Sequence, residues 1–261
     1  MKVNLDDRVA VVTGAARGIG FAIAGALADN GARVIVADID KAGAQAASER
    51  IPKSHPLRMD VTNQAEVEQG MQWVKSEFGR IDILVNNAGI NTAKSRVTIE
   101  QFSVEEWDLI MSVDLRGLFL ASRAATAIMS EQGEGRVVNI SSVLGVVPAR
   151  LQCAFTAAKA GVVNLTRAMA IELAQRGILV NCVAPGSTLT GVTKSLFYGK
   201  DALMGNRADW VKTQIPLGRP GSVEEIAVAV LFFCAPENSY VTGQILCVDG
   251  GWSAGGFLRE F

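Results

Sequence analysis

The sequence predicts a single α/β domain whose parallel sheet is covered by helices on both faces. Short runs rich in β-branched residues alternate along the chain with longer Ala-rich segments, in which apolar residues recur at helical spacing. The runs VAVVT, VIVAD and DILVNN are apolar almost throughout, as strands buried on both faces require. Such alternation is typical of βαβ units in a doubly wound sheet.

Seven strands and six helices are expected in alternation. One apolar stripe at helical spacing consists of Val67, Met71, Val74 and Phe78. The strands are predicted at residues 9–13, 33–38, 56–60, 83–87, 136–141, 178–184 and 245–248. The helices are predicted at residues 18–30, 41–50, 64–78, 103–130, 155–176 and 223–233.

Composition and charge exclude several classes of protein. The 261 residues are 49% hydrophobic and 20% charged, a composition that suits one large core and excludes a disordered chain. Lys and Arg number 25 and Asp and Glu 26, so the net charge is −1, and no basic surface for nucleic acid is expected. No apolar run reaches the roughly 18 residues that cross a bilayer, and the start lacks a signal peptide's apolar core. A cytoplasmic protein without nucleic-acid or membrane partners is predicted.

The cysteines and the histidine give no metal-binding pattern. Cys153, Cys182, Cys234 and Cys247 lie far apart in apolar stretches, so we expect four buried free thiols in a reducing compartment. His55 is the only histidine, and it lies in the Pro-flanked stretch PKSHPLR, which is predicted as a surface connection. No metal is therefore expected.

Residues 187–220 interrupt the strand–helix alternation. They contain Gly, Pro and aromatic side chains but no strand pattern. Long excursions inside a compact α/β domain usually serve function. We therefore expect a lid over the ligand cleft, with an oligomer contact as the alternative.

The first strand runs into TGAARGIG at residues 13–20, directly before a helix. Gly14, Gly18 and Gly20 permit a tight turn and let backbone N–H groups approach a pyrophosphate at the positive end of that helix. A glycine-rich turn between a first strand and a helix predicts a dinucleotide site in a Rossmann-type fold.

Asp38 ends the second strand, where the adenosine ribose of a dinucleotide lies in such folds. Its carboxylate can accept hydrogen bonds from both ribose hydroxyls and repels a 2′-phosphate, so NAD is predicted in preference to NADP. Arg17 argues the other way, because a cation in the glycine-rich loop can receive a 2′-phosphate.

Over nearly its whole length the chain resembles the classical short-chain dehydrogenases/reductases. TGAARGIG at 13–20 is similar to that family's cofactor loop, NNAG at 86–89 to its motif after the fourth strand, and VDGG at 248–251 to its C-terminal strand ending. DV at 60–61 is similar to its adenine-contacting pair, and PG at 185–186 with two following threonines to the stretch that holds the nicotinamide carboxamide. The expected cofactor-binding residues are Gly14, Arg17, Gly18, Ile19, Gly20, Asp38, Ile39, Asp60, Val61, Asn87, Ala88, Gly89, Lys159, Pro185, Gly186, Thr188 and Thr190.

The resemblance also implies four catalytic positions, two of which depart from the family pattern. The family has Ser, Tyr and Lys at Ser-x12-Tyr-xxx-Lys spacing and an Asn on an earlier helix. Ser142 fits as the group that polarises the substrate oxygen, and Lys159 as the group that holds the nicotinamide ribose. Phe155 occupies the tyrosine position and Asp114 the asparagine position.

A phenylalanine removes the oxygen that takes the alcohol proton in the family, and general acid–base catalysis is worth roughly 10²–10⁴-fold in rate. Three explanations stay open: a natural enzyme with another proton acceptor, an engineered Tyr-to-Phe variant, or a dinucleotide-binding protein without turnover and with a regulatory or oligomer-building role. The candidate acceptors are Tyr198 in the expected lid and Asp114, directly or through a water held by Lys159. For Asp114, a simple ion pair with Lys159 is the alternative.

The predicted activity is the interconversion of a secondary alcohol and a ketone on a small polar substrate, such as a polyol, a sugar or a hydroxy acid. Arg150 and Gln152 stand where polar groups of the substrate would enter, with plain surface positions as the alternative. The resemblance further implies a homo-oligomer, with a tetramer favoured. Phe257, Leu258 and Phe261 are expected to pack at a subunit interface.

Overall fold

A computed structural model describes residues 1–92, 96–193 and 213–255. Its strands are β1 (Val9–Thr13), β2 (Arg33–Asp38), β3 (Ser54–Arg58), β4 (Ile83–Asn86), β5 (Gly135–Ile140), β6 (Ile178–Pro185) and β7 (Ile245–Val248). Its main helices are α1 (Gly18–Asp29), α2 (Lys41–Ser48), α3 (Gln64–Phe78), α4 (Val104–Met111), α5 (Leu118–Gln132), α6 (Cys153–Leu173) and α7 (Val223–Cys234). Short 3₁₀, π or α turns lie at Ile99–Gln101, Ser112–Gly117, Val143–Gly145, Ala174–Arg176, Gly191–Thr193 and Trp252–Gly255.

The strands form one parallel sheet in the order β3-β2-β1-β4-β5-β6-β7, which confirms the predicted doubly wound Rossmann-type fold. In β1, Val11 is paired with Ile35 of β2 and with Leu84 of β4. The chain therefore proceeds from β1 toward one edge of the sheet and returns to β4 on the other side of β1. Open parallel sheets bind ligands at this switch point, beyond the carboxyl ends of the strands.

Each face of the sheet has its own apolar core, because successive strand side chains point to opposite faces. On one face Val12 packs in a cluster with Leu27 of α1. On the other face Val11 packs with Met71 of α3 and Ile128 of α5. All of these side chains are almost fully buried. Burial on both faces explains why VAVVT shows no alternation of apolar and polar residues.

Three predictions differ from the structure in their detail. His55 lies in β3, which begins two residues earlier than predicted and is an edge strand, where the neighbouring prolines are tolerated. The predicted helix at 103–130 is interrupted by the π-helical turn Ser112–Gly117. All four cysteines are free, but Cys153 and Cys247 are only partly buried. Cys247 lies on β7, the other edge strand, which has a strand neighbour on one side only.

Two predictions fall largely outside the described residues. The expected lid is described only at residues 187–193 and 213–220, so Tyr198 lies outside. Phe257, Leu258 and Phe261 of the expected interface lie outside as well. In the part of the chain that is described, no helix combines the length and the hydropathy needed to cross a membrane.

Candidate active site

The glycine-rich loop leaves the amino end of α1 open. Gly14 and Gly18 have φ values of 63° and 60°, a region that residues with a Cβ rarely adopt. A Cβ on Gly20 would stand 2.3 Å from the Gly14 carbonyl oxygen. Arg17 is the N-cap residue of α1, but its side chain makes no capping hydrogen bond, and the first turn contains no acidic residue. The unpaired N–H groups at this helix end can therefore receive an anion such as a pyrophosphate.

The NNAG segment after β4 holds this loop in shape. Asn87 Nδ2 donates to the carbonyl oxygens of Thr13 and Gly14, at 2.9 and 3.0 Å. Thr13 Oγ1 accepts from the backbone N–H groups of Asn87 and Ala88, both at 3.0 Å. The carboxyl ends of β1 and β4 are thus tied together at the switch point of the sheet.

Asp38 keeps part of its carboxylate available. Oδ2 accepts from the Ala16 N–H and Oδ1 from the Asp40 N–H, both at 3.0 Å. A carboxylate has about four lone-pair sites, so about two stay open after these bonds. The neighbouring Ile39 is 59% exposed, and Arg17 is exposed as well.

Asp60 and Val61, the predicted adenine-contacting pair, lie after β3. Asp60 Oδ1 accepts from the N–H and the hydroxyl of Thr62, at 2.9 and 2.8 Å, which shapes the turn before α3. Val61 is buried, in the same apolar cluster as Met71. The cluster therefore fixes the backbone at this position.

The stretch after β6 comes back to the glycine-rich loop. The Gly186 N–H donates to the Val248 carbonyl oxygen at 2.9 Å, which anchors the stretch to β7. Thr188 is buried and forms a parallel bridge with Gly221. Thr190 Cγ2 lies 3.7 Å from the point where a Cβ on Gly18 would stand. The two predicted cofactor segments are therefore neighbours in space.

Lys159 and Asp114 form a buried ion pair. Lys159 Nζ lies 3.0 Å from Asp114 Oδ2, and the two residues are 5% and 1% exposed. Nζ also donates to the Ile140 carbonyl oxygen at the end of β5, at 3.2 Å. Asp114 Oδ1 accepts from the Ile90 N–H at 2.8 Å. Asp114 lies in the π-helical turn, a feature that often marks functional sites.

One oxygen of this pair is buried and has no hydrogen-bond partner among the described residues. Asp114 Oδ2 receives no hydrogen bond of acceptable geometry from the described residues, although Nζ is close enough for an ion pair. A Cβ on Gly89 would come within 3.0 Å of Oδ2 and 3.2 Å of Lys159 Nζ. The glycine therefore gives the pair room that any side chain would take.

Phe155 and Ser142 complete the predicted catalytic positions. Phe155 is 9% exposed, and Lys159 Nζ lies 5.6 Å from the centroid of its ring. Ser142 is half-buried, and its Oγ accepts from the Leu144 N–H at 3.1 Å. A hydroxyl that accepts one hydrogen bond can also donate one, so Ser142 can still donate to a ligand. Ser141, which the sequence did not single out, donates from Oγ to the Lys159 carbonyl oxygen at 2.8 Å.

The loop before α6 presents two further polar groups. Gln152 is 6% exposed, and its Oε1 has no partner among the described residues. The preceding Leu151 has a φ of 63°, which is strained for a residue with a branched side chain. Arg150 is exposed.

A buried network of polar side chains lies below the site, and the sequence analysis did not predict it. Asn86 Nδ2 donates to Ser122 Oγ at 2.8 Å and to Asn139 Oδ1 at 2.9 Å. Asn139 Nδ2 donates in turn to Thr166 Oγ1 at 2.9 Å. The bonds join β4, β5, α5 and α6. An asparagine inside each of the apolar runs DILVNN and VVNIS was the available signal.

Known proteins are similar to this chain in sequence and in fold. A family model described as enoyl-(acyl carrier protein) reductase matches residues 14–253. The 3-oxoacyl-acyl-carrier-protein reductase FabG of Vibrio cholerae is 41% identical over 250 residues, covering 95% of this chain and 98% of that protein. The cis-4-hydroxycyclohexanecarboxylate dehydrogenase of Sinomonas cyclohexanicum is 40% identical over 251 residues, covering 95% and 97%. The crystal structure of gox2181 matches with a TM-score of 0.90 at 38% identity, covering 96% of this chain and 97% of that one.

Proposed function

Because the chain belongs to the classical short-chain dehydrogenase/reductase family, whose members are oxidoreductases that use nicotinamide cofactors, we propose that it is an NAD-dependent enzyme. It interconverts a secondary alcohol and a ketone on a small polar substrate. One observation carries this proposal. The open amino end of α1 and the buried Lys159 lie at the same edge of the sheet, after β1 and β5 respectively.

The residues present fit a dinucleotide. The glycine-rich loop would hold the pyrophosphate, Asp60 and Val61 would adjoin the adenine, and Lys159 would hold the nicotinamide ribose. Asp38 supports NAD over NADP, because its open lone pairs can accept from ribose hydroxyls and its charge repels a 2′-phosphate. A bound nicotinamide supplies the group that accepts or returns the hydride.

The chain's own residues handle the oxygen and the proton of the substrate. Ser142 Oγ already accepts a backbone hydrogen bond, so its hydroxyl would donate to the substrate oxygen. Phe155 forms an apolar wall and takes no proton. Asp114 Oδ2 is the acceptor that this arrangement offers, because it is buried beside Lys159 and lacks a hydrogen bond from the described residues. We assign it the alcohol proton, transferred through a water next to Lys159.

Gln152 supports the proposal that the substrate is polar. Its buried Oε1 lacks a donor among the described residues, and leaving such an atom unpaired costs about 1–3 kcal/mol. A substrate hydroxyl would supply that donor. Residues 187–220 would close over the substrate as a lid.

We further propose that a second copy of the chain packs on the face built by α4, the π-helical turn, α5 and α6. Met111, Leu115, Phe119 and Leu165 line a shallow groove there, and Phe119 is 48% exposed. We therefore assign the protein a homo-oligomeric state, with a tetramer favoured. The free cysteines suit the reducing cytoplasm.

A dinucleotide-binding protein without turnover is the second candidate. It is favoured by Phe155, which has no titratable oxygen, and by the pairing of Lys159 with Asp114. Such a protein would serve a regulatory or oligomer-building role. An engineered Tyr-to-Phe variant would show the same behaviour.

NADH formation and NAD binding, measured on the same sample, distinguish the two candidates. The substrates are polyols, sugars and hydroxy acids, and the chains are the unaltered protein and Asp114→Asn. Turnover that falls roughly 10²–10⁴-fold in Asp114→Asn supports the proton role of Asp114. Turnover that survives the substitution refutes that role but not the oxidoreductase. NAD binding without turnover on any substrate supports the second candidate.

A further inference from the structure

The π-helical turn Ser112–Gly117 lies between α4 and α5 and carries Asp114 as its third residue. Asp114 Oδ2 lies 3.0 Å from Lys159 Nζ, and Oδ1 accepts from the Ile90 N–H at 2.8 Å. Such turns are rare and often occur at functional sites. The contacts that hold this turn in place therefore also hold Asp114 against Lys159.

The last residue of this turn, Gly117, packs against Val61, which is expected to border the adenine. A Cβ on Gly117 would stand 2.8 Å from Val61 Cγ2 and 3.3 Å from the Val61 carbonyl oxygen. Both residues are buried, and Val61 packs in the apolar cluster that α3 and α5 share. A side chain at position 117 would therefore force either Val61 or the π-helical turn to move.

A hydrogen bond joins the same two segments. Arg116 Nη1 donates to the Thr62 carbonyl oxygen at 2.8 Å. The N–H and the hydroxyl of Thr62 both bind Asp60 Oδ1, so residues 60–62 form one closed turn. Arg116 also lines the groove assigned to the subunit interface, so its substitution would disturb two features at once. Gly117 is the more selective position to change.

The π-helical turn is packed closely on the side of α6 as well. A Cβ on Gly161, two residues after Lys159 in α6, would stand 2.9 Å from Leu115 Cδ2. A Cβ on Gly89 would stand 3.0 Å from Asp114 Oδ2. Because the turn has little free space here, a displacement forced at its end is expected to move Asp114 relative to Lys159.

We propose that Gly117 is a positioning residue, whose close contact with Val61 locks the turn that carries Asp114 to the turn that borders the adenine. This inference rests on the proposed function and adds that the adenine side of the cofactor site fixes the geometry of the Asp114–Lys159 pair. A misplacement of about 1 Å can cost about a hundredfold in rate. A larger residue at position 117 should therefore lower turnover even where NAD saturates the protein.

Gly117→Ala tests this role, with Gly25→Ala as the matched control. Gly117 has a φ of −62°, which alanine adopts readily in a helix, so the contact with Val61 is what changes. A Cβ on Gly25, inside α1, meets nothing within 4 Å among the described residues. At saturating NAD, kcat should fall roughly tenfold to a hundredfold in Gly117→Ala and stay unchanged in Gly25→Ala. Adding Val61→Ala removes the contacted methyl group and should restore part of kcat to Gly117→Ala.

Thermal unfolding gives a second readout, which needs neither cofactor nor turnover. Asp114→Asn removes the charge that offsets the buried Lys159, which should lower the unfolding temperature. Gly117→Ala is expected to separate this pair in advance. Asp114→Asn should therefore lower the unfolding temperature less in that background than in the unaltered protein or in Gly25→Ala.

Two results would overturn the positioning role of Gly117. One is a kcat that Gly117→Ala leaves unchanged while the KM for NAD rises, and the other is an equal temperature loss from Asp114→Asn in all three backgrounds. Absence of turnover in the unaltered protein would refute the proposed oxidoreductase alone, and the unfolding temperatures would then decide the role of Gly117. If Gly117→Ala does not fold, Val61→Ala with and without Gly117→Ala carries both comparisons.

Discussion

The substitution Phe155→Tyr adds a single oxygen to a ring that already lies beside Lys159. The ring is 9% exposed, and Lys159 Nζ lies 5.6 Å from its centroid. A phenol has an ordinary pKa of about 10, so it takes a proton efficiently near neutral pH only when a neighbouring cation favours the phenolate. The effect of Lys159 on the pKa of such a phenol depends on Asp114, because the negative charge beside Lys159 opposes it.

A Coulomb estimate shows which group dominates. At an effective dielectric constant of about 20, a cation about 5.6 Å away favours the phenolate by about 3 kcal/mol, or about 2 pKa units. Asp114 Oδ2 lies 3.0 Å from Nζ, so it is at most about 9 Å from the ring centroid, and its charge opposes this effect by about 2 kcal/mol or more. The net favourable effect is at most about 1 kcal/mol, or less than about one pKa unit.

The new phenol of Phe155→Tyr is therefore expected to add little turnover at neutral pH to the proposed route through Asp114, and to add more as the pH rises. Asp114→Asn removes the carboxylate route, and in that background the phenol should have a lower pKa. Phe155→Tyr with Asp114→Asn should therefore turn over about tenfold faster at neutral pH than Asp114→Asn alone. The assay is NADH formation across a pH series, with NAD binding as the control for an intact fold. Equal rates and equal pH optima in Asp114→Asn and in the double variant would refute the electrostatic reasoning.

Three further substitutions test other parts of the structure. Asp38→Ser should weaken NAD binding roughly tenfold to a hundredfold and reduce the preference over NADP; calorimetric titration showing equal losses for both cofactors would contradict this. Phe119→Glu places a charge in the apolar groove and should lower the mass measured by light scattering, whereas an unchanged mass would exclude the groove as an interface. Glu225 has a pKa lowered to about 2 by its bond with Arg219 and the Ser222 N–H, so its contribution to stability is present above pH 4.5 and is lost toward pH 2. The difference in unfolding temperature between the protein and Glu225→Gln should shrink as the pH falls across that range. The contribution to stability is small, at most about 1 kcal/mol, because both partners are exposed. A difference in unfolding temperature that does not depend on pH would contradict the assignment.

Local patterns in the sequence predicted the fold closely. Helix α3 begins at Gln64 and ends at Phe78, as its apolar stripe indicates. A side-chain cap from Asn63 and a left-handed Gly79 mark its two ends, and both signals are visible in the sequence. The strand bounds of β1, β2 and β7 also agree with prediction. These features depend on neighbours within a turn or a strand, so a single sequence contains them.

Part of the site is local in the same way. The four-residue spacing of Phe155 and Lys159 places them one helical turn apart, which the sequence shows directly. The glycine-rich loop is recognised from its position between a strand and a helix. The pairing of this loop with Asn87 is different, because it joins segments more than 70 residues apart.

The remaining features were decided by tertiary structure. Asp114 and Lys159 are 45 residues apart, and no periodicity relates them; they meet because α6 packs against the π-helical turn. Arg136 Nε has no acceptor among the described residues, because strand β5 places it at the amino edge beside two carboxylates that already have partners. A sequence determines which residues can ionise or pair, through their chemistry and local spacing. Which of them are buried together, and which are left without a partner, depends on long-range packing.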